Sequence, residues 1–259
     1  MTPIDPSLFY TGVVAELYAP LRSVTPDPEP YARFVARWGE PALELGCGSG
    51  SPLLDLRARG LDVEGLDSSP DMLERCRLAA AERGLEVVLH EQSMQTMALD
   101  RAYRSIYIAG PTFNLLPDDD AALRALVAVE QHLSADGAAL IPLMIPEPTP
   151  PHALGRSRTH READGTEMRI TSVAEIRDES TRNQITTLRY ERITPAGSVT
   201  EERPWLLHWH TQAGFRELAT AANLHVGTLR TPVGKHAAAD DPIFIAVLTP
   251  MRESGRARG

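Results

Sequence analysis

Short apolar blocks alternate with amphipathic segments along the first 145 residues of the chain. The apolar blocks predict five strands, at residues 42–45, 63–67, 87–90, 104–109 and 138–145. The fourth block places Ile106 and Ile108 between other apolar residues, which is typical of a strand buried on both faces. Strands that alternate with helices in this way predict a parallel sheet covered by helices on both sides.

The intervening segments show helical periodicity and clear end signals. Residues 70–83 predict a helix that begins at a proline, with Ser69 as its N-cap and Gly84 as its C-terminal stop. Residues 119–133 place their leucines and a valine on one face, and the leading aspartates favour the positive end of the helix dipole. We expect Gly137 to end this segment.

A proline-rich segment at residues 142–151 interrupts the alternation of strands and helices. Because so many prolines cannot continue a central strand or a helix, a new unit is expected to begin there. Period-two alternation then predicts three antiparallel strands, at residues 168–176, 184–193 and 199–208. A helix at 211–222, capped by Asn223 in a left-handed conformation, and strands at 225–231 and 242–248 follow.

Composition narrows the classes of function. The chain has 259 residues, 42% of them hydrophobic, enough for one large core or a core with a small lobe. A formal net charge of -9 disfavours nucleic acid and anionic membranes as partners. Without a long apolar run or a targeting pattern at residues 1–5, we expect a cytoplasmic protein. Cys47 and Cys76 provide neither a disulfide framework nor metal-ligand spacing.

The main candidate for chemistry is the turn that follows the first strand. Glu44 is followed by Gly46, Gly48 and Gly50 at alternate positions. Glycine allows a backbone to approach a ligand closely and to take positive φ, so this turn predicts a site for a small molecule. Asp67 ends the second strand about twenty residues later, where such folds present a carboxylate to ribose hydroxyls.

A nicotinamide dinucleotide is the rival ligand for this turn. Its fingerprint, G-x-G-x-x-G, requires a third glycine where this chain has Ser51. A pyrophosphate also needs backbone donors at a helix N-terminus, and Pro52 removes one of them. The sequence therefore disfavours an oxidoreductase.

These residues resemble motif I of the class I S-adenosylmethionine-dependent methyltransferases. The resemblance implies an α/β fold: a doubly wound, Rossmann-like, seven-stranded, mainly parallel sheet, with a small antiparallel β insert as a substrate lid. It also implies S-adenosyl-L-methionine as cofactor and S-adenosyl-L-homocysteine as product. By this resemblance the cofactor-binding positions are Tyr18, Glu44, Gly46, Cys47, Gly48, Gly50, Asp67, Ser68, Met72, Gln92, Ser93, Met94, Ala109 and Gly110.

Two of these positions leave alternatives open. Met72 is placed where family members often lay an apolar side chain on adenine, but it would equally suit core packing. Gln92-Ser93-Met94 lies where the family commonly has Gly-Asp-Met. Serine replaces the aspartate that contacts the adenine amino group, which leaves the Met94 backbone as the remaining donor.

The acceptor side has fewer candidates. Tyr10 lies in a segment that resembles the family's N-terminal flap, and alternate spacing puts His208 and His210 on one side of a strand. These three are the candidate catalytic residues, while surface or packing roles remain open for them. The candidate substrate-binding residues are Thr112, Phe113, Asn114, Trp205 and Trp209. Because no acid sits at ligand spacing from these histidines or from His152 or His160, no metal site is expected.

The resemblance predicts methyl transfer to a nitrogen, oxygen or carbon of a small metabolite by direct in-line displacement. A catalytically silent cofactor-binding regulator or partner subunit is the alternative. The expected organisation begins with an N-terminal helical flap at residues 1–40. A core in two segments follows, at 41–150 and 211–250, and it is interrupted by a lid insert at 151–210. A disordered tail is expected at 251–259. An exposed edge of the insert would suit a homodimer.

Overall fold

Two β-sheets organise the chain in the computed structural model, which describes residues 9–22 and 25–251. The larger sheet has seven strands, β1 (Ala42–Leu45), β2 (Val63–Asp67), β3 (Leu89–Glu91), β4 (Tyr103–Ile108), β5 (Leu133–Met144), β10 (Leu224–Val226) and β11 (Ile243–Pro250). Their order is β10-β11-β5-β4-β1-β2-β3, and only β11 runs antiparallel to its neighbours. This confirms the doubly wound, mainly parallel α/β fold.

Six α-helices accompany the sheets within the described residues. They are α1 (Gly12–Leu21), α2 (Glu29–Trp38), α3 (Leu53–Ala58), α4 (Pro70–Glu82), α5 (Asp119–His132) and α6 (Gln212–Ala221). The Ser69 side chain accepts a hydrogen bond from the Met72 N–H, which confirms the predicted cap of α4. Asn223 has φ of 64°, the left-handed conformation predicted after α6.

The carboxyl ends of β1, β2 and β4 meet at the centre of the sheet. Leu45 of β1 pairs with Leu66 on one side and with Ile108 on the other. The direction of chain winding reverses here, and ligands of open α/β sheets bind at such a switch point. Within the described residues, no helix is both long and apolar enough to cross a bilayer.

The prediction that Gly137 ends α5 was wrong. The helix ends at His132, and Gly137 lies inside β5. The register of β5 against β4 shifts between Tyr103 and Ser105, so the intervening residues of β5 bulge. A Cβ on Gly137 would lie 3.0 Å from the carbonyl oxygens of Tyr103 and Arg104. This glycine therefore permits a close backbone approach.

The proline-rich segment also begins later than expected, because β5 continues through Pro142 to Met144. Pro142 pairs with Ile245 of β11 and lies beyond Leu140, the last residue of β5 that pairs with β4. The strand therefore tolerates a residue without an N–H at this position.

The insert is an antiparallel sheet of four strands, where the sequence predicted three. They are β6 (Ser157–Arg161), β7 (Glu167–Asp178), β8 (Asn183–Thr194) and β9 (Gly197–His208), paired in chain order. The sequence analysis missed β6 because its five residues are exposed and show no apolar alternation.

Helix α1 connects the insert to the core. Its buried residues Val14, Leu17 and Leu21 form one cluster with side chains of β7 and β8. On the core side, the Gly12 N–H donates to Asp71 Oδ2 at 2.6 Å, and the Ser69 hydroxyl donates to the Tyr10 carbonyl at 2.6 Å. The N-terminal segment thus spans the gap between the two sheets.

The domain boundaries stay a prediction. The first eight residues of the expected flap, and all of the expected disordered tail except Met251, lie outside the described residues.

Candidate functional site

The glycine turn folds back on β2. The N–H groups of Gly46 and Cys47 both donate to the Leu66 carbonyl, at 2.7 and 3.1 Å. Gly46 and Gly48 have φ of 71° and 52°, in the left-handed region. A Cβ on Gly46 would lie 2.6 Å from Thr112 Cγ2. The turn thus depends on the absence of a side chain at this position.

Asp67 closes the turn from the end of β2. Its Oδ2 accepts the Gly48 N–H at 2.8 Å, and its Oδ1 accepts the Ser69 N–H at 2.9 Å. Burial raises the pKa of Asp67, although these backbone donors act in the opposite direction. A carboxylate has about four acceptor positions, so further positions remain for a ligand's hydroxyl groups.

A first cavity opens beside Asp67 and the turn. Nine predicted cofactor residues line it: Tyr18, Gly46, Gly48, Asp67, Ser68, Met72, Gln92, Ser93 and Met94. Tyr10, a candidate catalytic residue, and Thr112, a candidate substrate residue, also line it. The sequence analysis missed the apolar wall, which consists of Leu66, Leu115, Leu116 and Pro117, and the polar Gln95. An apolar lining with a single carboxylate among the residues that the structure describes, Asp67, matches a nucleoside.

Five predicted cofactor residues do not line this cavity, namely Glu44, Cys47, Gly50, Ala109 and Gly110. Glu44 is fully buried in β1, Cys47 is 2% exposed, and Gly50 faces the core. A Cβ on Gly50 would lie 2.8 Å from both Leu54 Cγ and Cys76 Sγ. Cys47 and the Cβ side of Gly50 therefore face the core behind the turn, and a backbone contact of either residue with the cofactor stays a prediction.

Glu44 differs from Cys47 and Gly50 because one of its carboxylate oxygens is free to accept a hydrogen bond. Its Oε2 accepts the Tyr107 hydroxyl hydrogen at 2.9 Å, while the buried Oε1 has no hydrogen-bond partner. Burial raises the pKa of Glu44 to about 8, although the Tyr107 hydrogen bond lowers it. An uncommitted acceptor two residues before the turn suits a cationic ligand, which would favour the charged carboxylate.

The raised pKa of Glu44 predicts a distinctive pH dependence. A folded-state pKa of about 8, above the ordinary value of 4.5, means that the folded chain loses stability as pH rises between these values. As pH rises through this window, we expect the unfolding free energy of Glu44→Gln to increase relative to that of the unsubstituted chain, by about 5 kcal/mol in total. Urea unfolding of the ligand-free protein at several pH values measures this.

Glu64→Gln is the matched control on the neighbouring strand. Burial would raise the pKa of Glu64, but hydrogen bonds from His90, Tyr103 and Arg101 lower it. The charged Glu64 carboxylate therefore stabilises the fold above pH 4.5, and this stabilisation is lost as pH falls. At neutral pH, Glu64→Gln should be less stable than the unsubstituted chain. Parallel pH profiles for the two variants would contradict the assignment.

A second cavity, of about 690 Å³, lies between the insert, α1 and the loop after β4. Ala109 and Gly110, predicted for cofactor binding, line this cavity and do not line the first. Tyr10, Tyr18, Thr112 and Leu115 line both cavities, so the two spaces share a wall. The volume is typical of a small-molecule site.

The second cavity is aromatic and cationic. Trp205, a predicted substrate residue, lines it with Tyr31 and Tyr190, which the sequence analysis missed. Arg156, which precedes the unpredicted β6, and Arg158, which lies within it, also line the cavity. No sequence signal marked these arginines, because their position depends on the pairing of β6 with β7.

The structure does not bring Phe113, Asn114 or Trp209 to either cavity. Phe113 is buried against Phe215, with ring centroids 5.7 Å apart. The Asn114 amide donates to the carbonyls of Met144 and His208, at 2.9 and 2.8 Å. The Trp209 ring lies under the Arg177 guanidinium, 4.1 Å from its centroid. These three residues support the site from behind, which corrects the expectation that they touch substrate.

His208 and His210 also lie outside both cavities. They are 2% and 1% exposed, and both approach Asp119 at the start of α5. Burial lowers the pKa of His210 to about 4, and the neighbouring His208 lowers it further. The two rings lie on the same side of the strand, as predicted, but that side faces α5 and gives no access to an acceptor.

Tyr10 is the one candidate catalytic residue that reaches a cavity. Burial is the main cause that raises its pKa, and Tyr18 and Tyr190 raise it further. The Tyr10 and Tyr18 rings meet edge to face, with centroids 5.5 Å apart. At neutral pH Tyr10 is a protonated phenol, suited to donating a hydrogen bond.

Solved structures share this architecture almost from end to end. The CcbJ methyltransferase from Streptomyces caelestis matches with a TM-score of 0.76 and 19% identity, covering 95% of this chain and 99% of that chain. DesVI from Streptomyces venezuelae matches with a TM-score of 0.68 and 20% identity, covering 96% and 99%. CalS10 is an amino pentose methyltransferase from Micromonospora echinaspora that was solved with S-adenosylmethionine bound. It matches with a TM-score of 0.65 and 22% identity, covering 92% of this chain and 97% of that chain.

These structures share the fold, and the sequence matches support an S-adenosylmethionine-dependent methyltransferase. Residues 42–137 match the family model described as a methyltransferase domain. A cypemycin N-terminal methyltransferase from a Streptomyces species is 26% identical over 191 residues, 73% of this chain and 74% of the relative. The dTDP-3-amino-3,6-dideoxy-alpha-D-glucopyranose N,N-dimethyltransferase of Streptomyces fradiae is 27% identical over 234 residues, which are 85% of this chain and 87% of the relative.

Proposed function

We propose that this enzyme methylates a nitrogen atom of a small metabolite by direct in-line displacement, with the acceptor in the second cavity. The observation that carries the proposal is the lining of that cavity. Among the described residues it contains no aspartate, glutamate, histidine, lysine or cysteine. Its titratable groups are tyrosines and arginines: Tyr10, Tyr18, Tyr31, Tyr190, Arg22, Arg156 and Arg158.

Such a lining suits an acceptor that needs no general base. A neutral amine carries its own lone pair, whereas a hydroxyl group usually requires a proton acceptor nearby. Burial raises the pKa of each of the four tyrosines, so none is a phenolate at neutral pH. Positioning alone then has to supply the acceleration, which is effective for an activated methyl donor.

The first cavity suits the cofactor. When bound, S-adenosylmethionine supplies an electrophilic methyl group on a sulfonium centre. Asp67 would accept the ribose hydroxyl hydrogens, and Glu44, with its uncommitted Oε1, would attract the positive charge of the methionine moiety. The shared wall formed by Tyr10, Tyr18, Thr112 and Leu115 would hold acceptor and cofactor side by side and exclude water.

The arginines of the second cavity support an acceptor that carries an anionic group. Arg22, Arg156 and Arg158 form no side-chain ion pair or hydrogen bond within the described part of the chain. Guanidinium groups bind carboxylate or phosphate with two parallel hydrogen bonds. Their positive potential would also lower the pKa of an acceptor ammonium, which favours the neutral amine. The Streptomyces fradiae relative is named for a dTDP-linked amino sugar, which combines an amine with phosphate.

The proposal is tested with pairs of acceptors that differ in one group. An amino sugar phosphate should gain methyl groups on nitrogen, while the analogue with a hydroxyl in place of the amine should not. Mass spectrometry and NMR of the product identify the methylated atom. A methyl group found on oxygen or carbon would refute N-methylation, and tight cofactor binding without turnover of any amine would favour the regulator.

Arg158→Gln tests the anionic group. We expect kcat/KM for the amino sugar phosphate to fall by about tenfold or more, the value of one lost charge-assisted hydrogen bond, with no change for an uncharged amine. Arg161→Gln is the control, because Arg161 is exposed on the same strand and pairs with Glu167. Equal losses for the charged and the uncharged acceptor would contradict an anion-binding role.

A homodimer through the insert stays a prediction. The outer edge of β6 is the exposed edge on which it rests.

A further inference from the structure

A second cluster of polar side chains lies behind the acceptor cavity, where β9 ends and α5 begins. Asp119, His208 and His210 each offer one potential ligand atom, and these atoms all lie within 4.8 Å of one another. The two imidazoles are almost fully buried, while the Asp119 side chain is 45% exposed. The cluster therefore has a buried floor and one side open to solvent.

Two of the three distances within the cluster match a metal coordination shell, and the third is at most 4.8 Å. His208 Nε2 lies 3.0 Å from Asp119 Oδ1, and His210 Nδ1 lies 3.4 Å from the same oxygen. Bonds of about 2.0–2.1 Å in a tetrahedral arrangement put ligand atoms roughly 3.3 Å apart. A single ion would therefore reach all three atoms with small side-chain adjustments.

His210 is the member of the cluster whose polar atoms lack partners. Neither of its buried ring nitrogens has a hydrogen-bond partner, which is costly for a buried polar group. His208 Nδ1 lies 2.9 Å from Asn183 Oδ1, and a ring that donates through Nδ1 alone would direct its Nε2 lone pair toward Asp119 Oδ1, where a cation would satisfy both atoms.

The neighbours of the three residues act as an outer shell. Metal-binding histidines commonly donate their second N–H to an amide or carboxylate oxygen, as His208 does to Asn183. Arg182 bonds to Asp119 Oδ2, which holds the carboxylate and leaves Oδ1 for the cluster. Asn114 fixes the backbone by donating to the His208 carbonyl.

We propose that Asp119, His208 and His210 form a zinc site, with Oδ1, Nε2 and Nδ1 as ligands and water in the fourth position. Two imidazoles and one carboxylate suit Zn²⁺. Because neither histidine touches a cavity, the ion would have no part in methyl transfer. It would instead fasten the end of the insert, at β9, to the start of α5 in the core, and the proposal is independent of the identity of the acceptor.

The test is a titration of the untagged, chelator-treated full chain with ZnCl₂ alone. Calorimetry should show one high-affinity Zn²⁺ per chain, and Co²⁺ should give the visible absorption of a four-coordinate site. Zn²⁺ should raise the Tm of the ligand-free protein, since an ion that binds only the folded state stabilises it. No high-affinity binding to the unsubstituted chain would overturn the proposal.

Substitutions assign the bound ion to this cluster. His210→Phe should abolish the high-affinity phase and the Zn²⁺-dependent rise in Tm, and Asp119→Asn should weaken Zn²⁺ binding at least tenfold. Asn183→Ala, which removes the outer-shell partner, should weaken binding about tenfold. His225→Ala is the control, because this exposed histidine lies on β10 outside the cluster, and Zn²⁺ affinity should not change.

His210→Phe keeps an aromatic ring beside Phe113 and Phe215, whose centroids lie 5.8 and 6.3 Å from that of His210. Unchanged S-adenosylmethionine binding in this variant would show that its fold is intact. If the folded variant bound Zn²⁺ as tightly as the unsubstituted chain, the ion would reside elsewhere and the proposed site would be refuted.

Discussion

Asp67→Ala is expected to raise the Kd for S-adenosylmethionine by about a hundredfold. The carboxylate already holds the N–H groups of Gly48 and Ser69, and it is the one acid that lines the cofactor cavity within the described residues. A charge-assisted hydrogen bond contributes about 1.5–3 kcal/mol, so losing two to the ribose costs on the order of 3 kcal/mol. Isothermal titration with S-adenosylmethionine and S-adenosylhomocysteine measures the change.

Two further variants separate ligand contact from support of the turn. Asp67→Asn keeps one oxygen acceptor and should lose less affinity than Asp67→Ala. Asp100→Ala removes an exposed carboxylate elsewhere and should leave the Kd unchanged. An Asp67→Ala protein with normal affinity for both ligands would remove Asp67 from the cofactor site.

Gly46→Ala is expected to abolish measurable cofactor binding and to lower the stability of the fold. Gly46 has φ of 71°, and a side chain in this left-handed conformation costs about 1–2 kcal/mol. The new methyl group would also lie 2.6 Å from Thr112 Cγ2, inside the wall shared by the two cavities. Thermal unfolding and cofactor titration of the same preparation report the two effects separately.

Gly84→Ala is the matched control for backbone strain. Its φ of 64° is close to that of Gly46, but a Cβ there meets nothing within 4 Å. It should lose stability without losing cofactor affinity. The double variant Gly46→Ala with Thr112→Ala should recover part of the stability, because the clash is removed. Equal cofactor affinity in Gly46→Ala and Gly84→Ala would contradict the close approach at the turn.

The sequence predicts those features of this enzyme that depend on neighbouring residues. The turn at Gly46 and the acid at Asp67 lie in adjacent strands, so their spacing alone places them together. The cap at Ser69 and the left-handed Asn223 follow from local backbone chemistry. For the same reason, most predicted strand and helix ends fall within a few residues of the observed ones.

The errors arise where distant parts of the chain meet. The alternation of His208 and His210 correctly predicts rings on one side, with centroids 4.8 Å apart, but not that this side faces Asp119, which lies 89 residues before His208. Likewise, β6 exists because β7 offers it a pairing edge, and its own residues give no periodic signal. The acceptor cavity, built from both sheets and α1, therefore could not be read from local patterns.

Tyr10, Tyr18, Thr112 and Leu115 line the two cavities together. A ligand that orders these side chains in one space changes the surface offered to the other. If the cofactor raises the affinity for the acceptor by some factor, the acceptor must raise the affinity for the cofactor by the same factor. Binding energy coupled between cofactor and acceptor would pass through this common partition, so we expect residue changes within it to alter both dissociation constants.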